Sequence, residues 1–206
     1  MLKVFTTTPL LVAYTFSPLF AKSLDSILNE MVQENTEQVI EEVQPESVKK
    51  QTTNRFTCPT CTNNEKIVLK FFQDYGIKDK YALATLMGNI KQESMFVPNI
   101  CEGGARVPYH HCHRGGYGLI QWTTLGRYRG LGRHARAIGG NPSTLQTQLS
   151  YLVTEVEWKK SEWRFKTPGK PVAFYMRGAY TWLGWGIHGA RTHYSNQYVQ
   201  RLTPSG

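Results

Sequence analysis

In the stretch GNIKQESMF, residues 88–96, a carboxylate closes an apolar pattern. Ala82, Leu83, Leu86, Met87 and Ile90 recur as on one face of a helix that starts near Asp79. At about 100° per residue, Glu93 falls on the Ala82/Leu86 side of that stripe, with Lys91 and Gln92 directed elsewhere. A carboxyl beside a core must be paired or take up a proton. The partial negative charge at a helix C-terminus pushes the same way. A carboxyl that stays protonated near neutral pH is a general acid. A second carboxylate, Glu102, sits on the glycine-rich CEGGAR segment, where it would suit a base that activates water; its plainer role is to offset Arg106. Downstream, GYGLIQW offers Tyr117, Gln121 and Trp122 within one short turn-like run.

Several helices must position these groups. TNNE at Thr62 has the form of a capping box, followed by an apolar face of Ile67, Val68, Phe71, Phe72 and Tyr75 that Gly76 stops. The Glu93 helix comes next, and then an irregular stretch, residues 98–118, rich in Gly, His and Cys. NPSTLQTQLSYLVTEVEW predicts a helix with Asn141 as cap, Pro142 in the first position, and Leu145, Leu149, Leu152 and Val156 inside. Pro171 starts another helix, and a last one is expected from about His188 to Arg201. Strand alternation is weak, so the class is mainly α, with Trp158, Trp163, Trp182 and Trp185 read mostly as packing.

The 206 residues carry a formal charge of +9, unevenly placed. Residues 1–65 hold five Lys/Arg and eight Asp/Glu, while residues 66–206 hold nineteen and seven. A basic body suits an anionic partner: nucleic acid, a membrane surface or a bacterial cell wall. The densest basic run, RYRGLGRHAR at residues 127–136, lacks the context of a nucleic-acid module, which argues against nucleic acid. At the N-terminus Lys3 precedes an apolar stretch at residues 9–20 and a small residue, Ala21. That stretch is too short for a membrane span, so residues 1–21 read as a signal peptide or N-terminal anchor, and the protein as exported or virion-associated. Residues 22–57 are acidic and polar, a linker or stalk ahead of a domain at residues 58–206. In an exported protein Cys58, Cys61, Cys101 and Cys112 are expected in disulfides. A structural zinc on the same four is the alternative, and either way the role is bracing, with no catalytic metal required. His110, His111 and His113 read as loop residues.

The pairing of GNIKQES with GYGLIQW resembles the goose-type lysozyme and lytic transglycosylase superfamily, and within it the phage tail lysozyme domain family. Gly126 and Arg127 match the Gly-Arg that follows in that family. Leu145, Gln148, Leu149, Tyr151, Leu152 and Glu155 match its later helix. The likeness covers roughly residues 64–201. It implies a lysozyme-like fold, with a cleft between the Glu93 helix and residues 118–122. It implies cleavage of the peptidoglycan glycan backbone, with Glu93 as the general acid. Substrate contacts would fall to Ser94, Tyr117, Gln121, Trp122 and Tyr180. Other virion or tail proteins are implied as partners. Hydrolysis needs a placed second carboxylate; the lytic transglycosylase route needs none, because the sugar's own hydroxyl closes an anhydro ring. Thr181 in AYTW stands where soluble transglycosylases carry Asn, and WLGWG at residues 182–186 lacks the Glu and Pro of the phage-type segment. These departures leave room for an alternative, a catalytically weak structural or wall-binding module of a virion or envelope.

Overall fold

The structure is a computed structural model that describes residues 55–113 and 115–205. The segment read as a signal peptide or anchor, and the acidic linker up to residue 54, lie outside the described residues. Phe56–Thr57 (β1) pairs antiparallel with Thr203–Pro204 (β2), so the last two residues read as linker are hydrogen-bonded to the far end of the described chain.

The fold is mainly α. Among the described residues, seven α-helices follow in order: α1 (Asn63–Asp74), α2 (Lys80–Ser94), α3 (Leu125–Ala137), α4 (Leu145–Leu152), α5 (Val156–Lys166), α6 (Val172–Leu183) and α7 (Arg191–Arg201). Thr62 and Glu65 form the expected capping box, and Gly76, at φ 98°, follows the end of α1. Asp79 caps α2 by accepting from the Tyr81 and Ala82 amides at 2.8 and 2.9 Å. Its other oxygen accepts from Gly169 N at 2.7 Å, which ties the start of α2 to the approach to α6.

Helix α2 is the core element. The sequence pattern predicts one buried face, whereas every residue from Ala82 to Ile90 is buried. A helix enclosed on all sides needs its polar groups satisfied locally. Thr85 Oγ1 donates to Tyr81 O at 2.7 Å, and Asn89 Nδ2 to Thr85 O at 2.8 Å. The closest neighbour of α2 is α7, whose backbone crosses at Gly88. A Cβ there would lie 2.3 Å from Ser195 N, so only glycine admits this crossing. Trp158, Trp182, Phe72, Phe165 and Tyr175 pack edge to face and stacked where α1, α5 and α6 meet.

Three local expectations are corrected. The single helix from Asn141 to beyond Val156 is two helices, broken at residues 153–155, and Val156 is exposed. Thr144, not Asn141, caps the first of them; Asn141 instead accepts from Ser143 N at 2.9 Å in a turn. Residues 125–137, which hold the basic run 127–136 and for which no helix was expected, form α3. Gly130 and Gly132 within it make room for tyrosine rings: a Cβ would lie 2.1 Å from the Tyr151 hydroxyl and 2.7 Å from the Tyr109 hydroxyl. The last helix starts at Arg191, three residues after the expected start.

The four cysteines form two disulfides, Cys58–Cys61 and Cys101–Cys112, so their sulfurs do not make a four-thiolate site in this structure. The second disulfide braces the stretch after α2, where Ile100–Arg106 and Cys101–Tyr117 form isolated bridges. Among the described residues, no group of three or more His, Cys, Asp or Glu gathers as for a metal, and no helix is long and apolar enough to cross a membrane.

Candidate active site

Glu93 occupies the penultimate position of α2, just before the helix ends abruptly. Met95 and Phe96 follow at φ 51° and 63°, two consecutive non-glycine residues in the left-handed region. Such backbone is costly and persists where the surroundings impose it. Here the anchors are Phe96, buried edge-on against Tyr198, and Phe96 O, which accepts from Asn64 Nδ2 at 2.9 Å. The kink leaves the Glu93 side chain partly sheltered, 14% exposed.

The carboxylate is not alone. One oxygen receives a hydrogen bond from Arg191 Nη2 at the start of α7, and that arginine side chain is only 6% exposed. Burial pushes the Glu93 carboxyl above its ordinary range; the charges of Arg191 and, more weakly, Arg127 pull it down, and burial wins. Arg191 is held in turn: its Nη1 donates to His188 O at 3.1 Å, and its guanidinium lies 4.6 Å over the Trp185 ring. Trp185 meets the Tyr180 ring edge-on at 5.3 Å. Gln92, the neighbour of the acid, accepts from Ala190 N at 2.9 Å and so fixes the entry to α7.

The other wall is the turn at residues 118–122. Ser94 is buried, and its hydroxyl donates to Leu119 O at 2.8 Å, which fastens the end of the acid-bearing helix to the turn. Gln148 on α4 holds the turn from beneath. Its Oε1 accepts from Leu119 N at 2.7 Å, while its Nε2 reaches Pro98 O and Pro142 O at 2.6 and 2.8 Å. A Cβ on Gly118, at φ 73°, would come within 2.6 Å of the Gln148 amide. Gln121 sits in the left-handed region at φ 53°, half-buried, and its Nε2 donates to Gly118 O at 2.9 Å.

The structure thus brings Glu93, Ser94 and the 118–122 turn together, with Tyr180 joined to the acid through Trp185 and Arg191. Three residues assigned to substrate contact, Tyr117, Trp122 and Ser94, lie inside the fold. Tyr117 is fully buried, with its hydroxyl on Val107 O and Ser143 Oγ and its ring against Tyr109 and Tyr128. Trp122 is fully buried against Tyr151. Neither presents a ring face to a ligand. Ser94 is a fastening inside the fold, not an exposed contact. Tyr180, 57% exposed, keeps a free face.

Glu102, the expected second carboxylate, is engaged through one oxygen, and Glu155, just beyond α4 in the chain, is engaged through both. Glu102 is exposed, and its Oε2 accepts from Gly116 N at 2.9 Å, which closes its own loop. Glu155 is buried and clasped by Arg127 through two bonds of 2.7 and 2.9 Å, a paired geometry that satisfies both oxygens. Sequence reasoning missed Arg191 and Trp185 as parts of the site. The single available signal was an arginine at the start of a helix following an aromatic, glycine-rich segment, which reads equally well as a solvated surface.

The model of one family, described as phage tail lysozyme, matches residues 63–180, which takes in the acid-bearing helix, the 118–122 turn and Tyr180. No curated protein and no solved structure matches the chain.

Proposed function

The chain belongs to the phage tail lysozyme family, and from that premise we propose that it cleaves the MurNAc-GlcNAc backbone of peptidoglycan with Glu93 as its general acid. The observation that carries this reading is the sheltered carboxyl itself: burial raises its proton affinity despite the adjacent Arg191, the condition a proton donor to a glycosidic oxygen must meet near neutral pH. The setting extends the argument. The turn carrying Gln121 is fastened to the same helix end through Ser94, and Tyr180 offers an exposed ring on the other side.

The one-carboxylate route is the reaction we favour. Glu93 gives its proton to the leaving glycosidic oxygen as the bond to the anomeric carbon breaks. The resulting carboxylate then takes the proton of the sugar's own hydroxyl as that oxygen attacks the same carbon, so the acid is regenerated and an anhydro end forms. This route is supported by the engagement of Glu102 with Gly116 and of Glu155 with Arg127, which leaves neither poised as a base. Mass spectrometry of muropeptides released from purified cell wall tests it: anhydro ends are expected, and reducing ends alone would restore a hydrolase with a second carboxylate. The Glu93→Gln variant should keep its fold and lose at least about a hundredfold in wall clearing; undiminished clearing refutes the assignment. The site of action on this reading is the cell wall, reached by an exported or virion-associated protein, with other tail proteins as partners.

One observation favours a second reading, that of a catalytically weak wall-binding module. A guanidinium against the acid works against protonation. Wall pull-down without released anhydro or reducing ends would select it.

A further inference from the structure

A recess of about 490 Å³ opens between α5, α6 and the segment that leads to α7. Its lining includes Arg164, Arg177, His188, Tyr180 and Trp185, and no carboxylate. Arg164 and Arg177 bring two guanidinium groups to one recess, and among the described residues neither has a carboxylate partner. Both are nonetheless held in place. The Arg164 guanidinium lies 4.5 Å over Trp163 and 5.2 Å from the Phe174 ring centre, and Arg177 lies 5.7 Å from the same Phe174 ring. The stem of Arg164 runs across Gly178 so closely that a Cβ there would sit 3.2 Å from its Cδ. Rings hold these guanidinium faces and leave the N–H edges free, the presentation that suits paired hydrogen bonds to a planar anion.

The recess is also joined to the acid. Trp185 and His188 line it, and these two residues hold Arg191: one beneath its guanidinium, the other through its carbonyl oxygen. A glycan bound at Glu93 therefore has this basic, aromatic-walled recess one side-chain layer away. The sugars between the peptide branches of wall glycan are neutral, whereas the branches carry free carboxylates. Resting on the peptidoglycan reading above, we propose that the recess binds a carboxylate of the peptide branch, with Arg164 and Arg177 as the anion contacts and Tyr180 and Trp185 as the apolar walls. The enzyme would thereby favour strands whose peptide branches carry free carboxylates.

The test uses Glu93→Gln protein, which removes the acid and leaves the recess intact. It is titrated with a disaccharide carrying a tripeptide branch and with the same disaccharide-tripeptide whose branch carboxyls are converted to amides, because a disaccharide without the branch bears the freed lactyl carboxylate. The carboxylate-bearing ligand should bind on the order of tenfold tighter. That gap should close when R164Q and R177Q are added and narrow only in part with R177K, which keeps the charge but not the planar fork. Equal affinity for the two ligands, or a gap that the double substitution leaves untouched, overturns the proposal. With an active acid, the same preference should appear as the ratio of kcat/KM on strands with free and with amidated branch carboxyls. A chain that cleaves neither strand defeats the lytic reading, and the titration still decides the recess.

Discussion

Gln148→Met probes whether the cleft turn is held by its amide clamp. Gln148 is fully buried and serves three backbone groups at once: the Leu119 amide at 2.7 Å and the carbonyls of Pro98 and Pro142 at 2.6 and 2.8 Å. Methionine fills nearly the same volume and leaves all three without their partner. A buried polar group that loses its bond costs about 1–3 kcal/mol. Three such losses, partly offset by the apolar side chain, put the destabilisation at about 3 kcal/mol. For a domain of this size that lowers Tm by roughly 6–12 °C. The activity consequence is separate: residues 118–122 lose their support on α4 and keep only the Ser94 fastening to the acid helix, so kcat/KM on cell wall should fall at least about tenfold. Gln148→Glu sharpens the test. It retains an acceptor for Leu119 N but sets a carboxylate against two carbonyl oxygens, so its defect should be larger at neutral pH and lessen on acidification as the carboxyl takes up a proton. Thermal denaturation and turbidity clearing read both quantities. A Gln148→Met protein that melts within about 2 °C of wild type and clears at full rate refutes the clamp.

Three further outcomes follow from the same geometry. Arg191→Met removes the principal charge that lowers the Glu93 carboxyl, so the alkaline limb of the pH–activity profile, already above the ordinary carboxyl range, should move further up; a downward shift contradicts the electrostatic assignment. Gly88→Ala forces a Cβ to within 2.3 Å of Ser195 N on α7, backbone against backbone, and should destabilise by at least about 1–3 kcal/mol in chemical denaturation. Glu65 has the opposite sign to Glu93: burial raises its carboxyl, but bonds from Tyr198, Thr62 and Arg201 outweigh this and hold it below 4.5. The stability it adds is present above pH 4.5 and is lost as pH falls through the lowered value, so Glu65→Gln should flatten the acid limb of stability against pH.

The parts of this fold legible in the sequence were those with local causes. The capping box at Thr62, the start of the next helix near Asp79 and the glycine after α1 each follow from a few neighbouring residues. The shelter of Glu93 followed from helical phase alone. What the sequence hid was set by distant contacts. Helix α3 was obscured because three glycines lower helix propensity, and two of them are explained only by tyrosines from other elements. The break before α5 was invisible because Leu145, Leu149, Leu152 and Val156 continue the helical period through it. Tyr117 and Trp122 show that ring type does not reveal which way a ring faces: both belong to the turn beside the acid, and both point into the core. Arg191 lies 98 positions from Glu93, and nothing in the local pattern connects them.

That arginine explains how a carboxyl can be kept sheltered at the kinked end of α2. A lone carboxylate at this depth would be expelled or permanently neutral. With Arg191 beside it the ionised form is tolerated, and with burial outweighing the arginine the protonated form is still favoured relative to water. Both states are therefore accessible to one side chain, which a single carboxyl needs if it is to give up a proton and take one back within a turnover. The arginine is itself sandwiched between the acid and Trp185 and tethered to His188 O. The Trp185 face on which the partner of the acid rests comes from the short segment between α6 and α7.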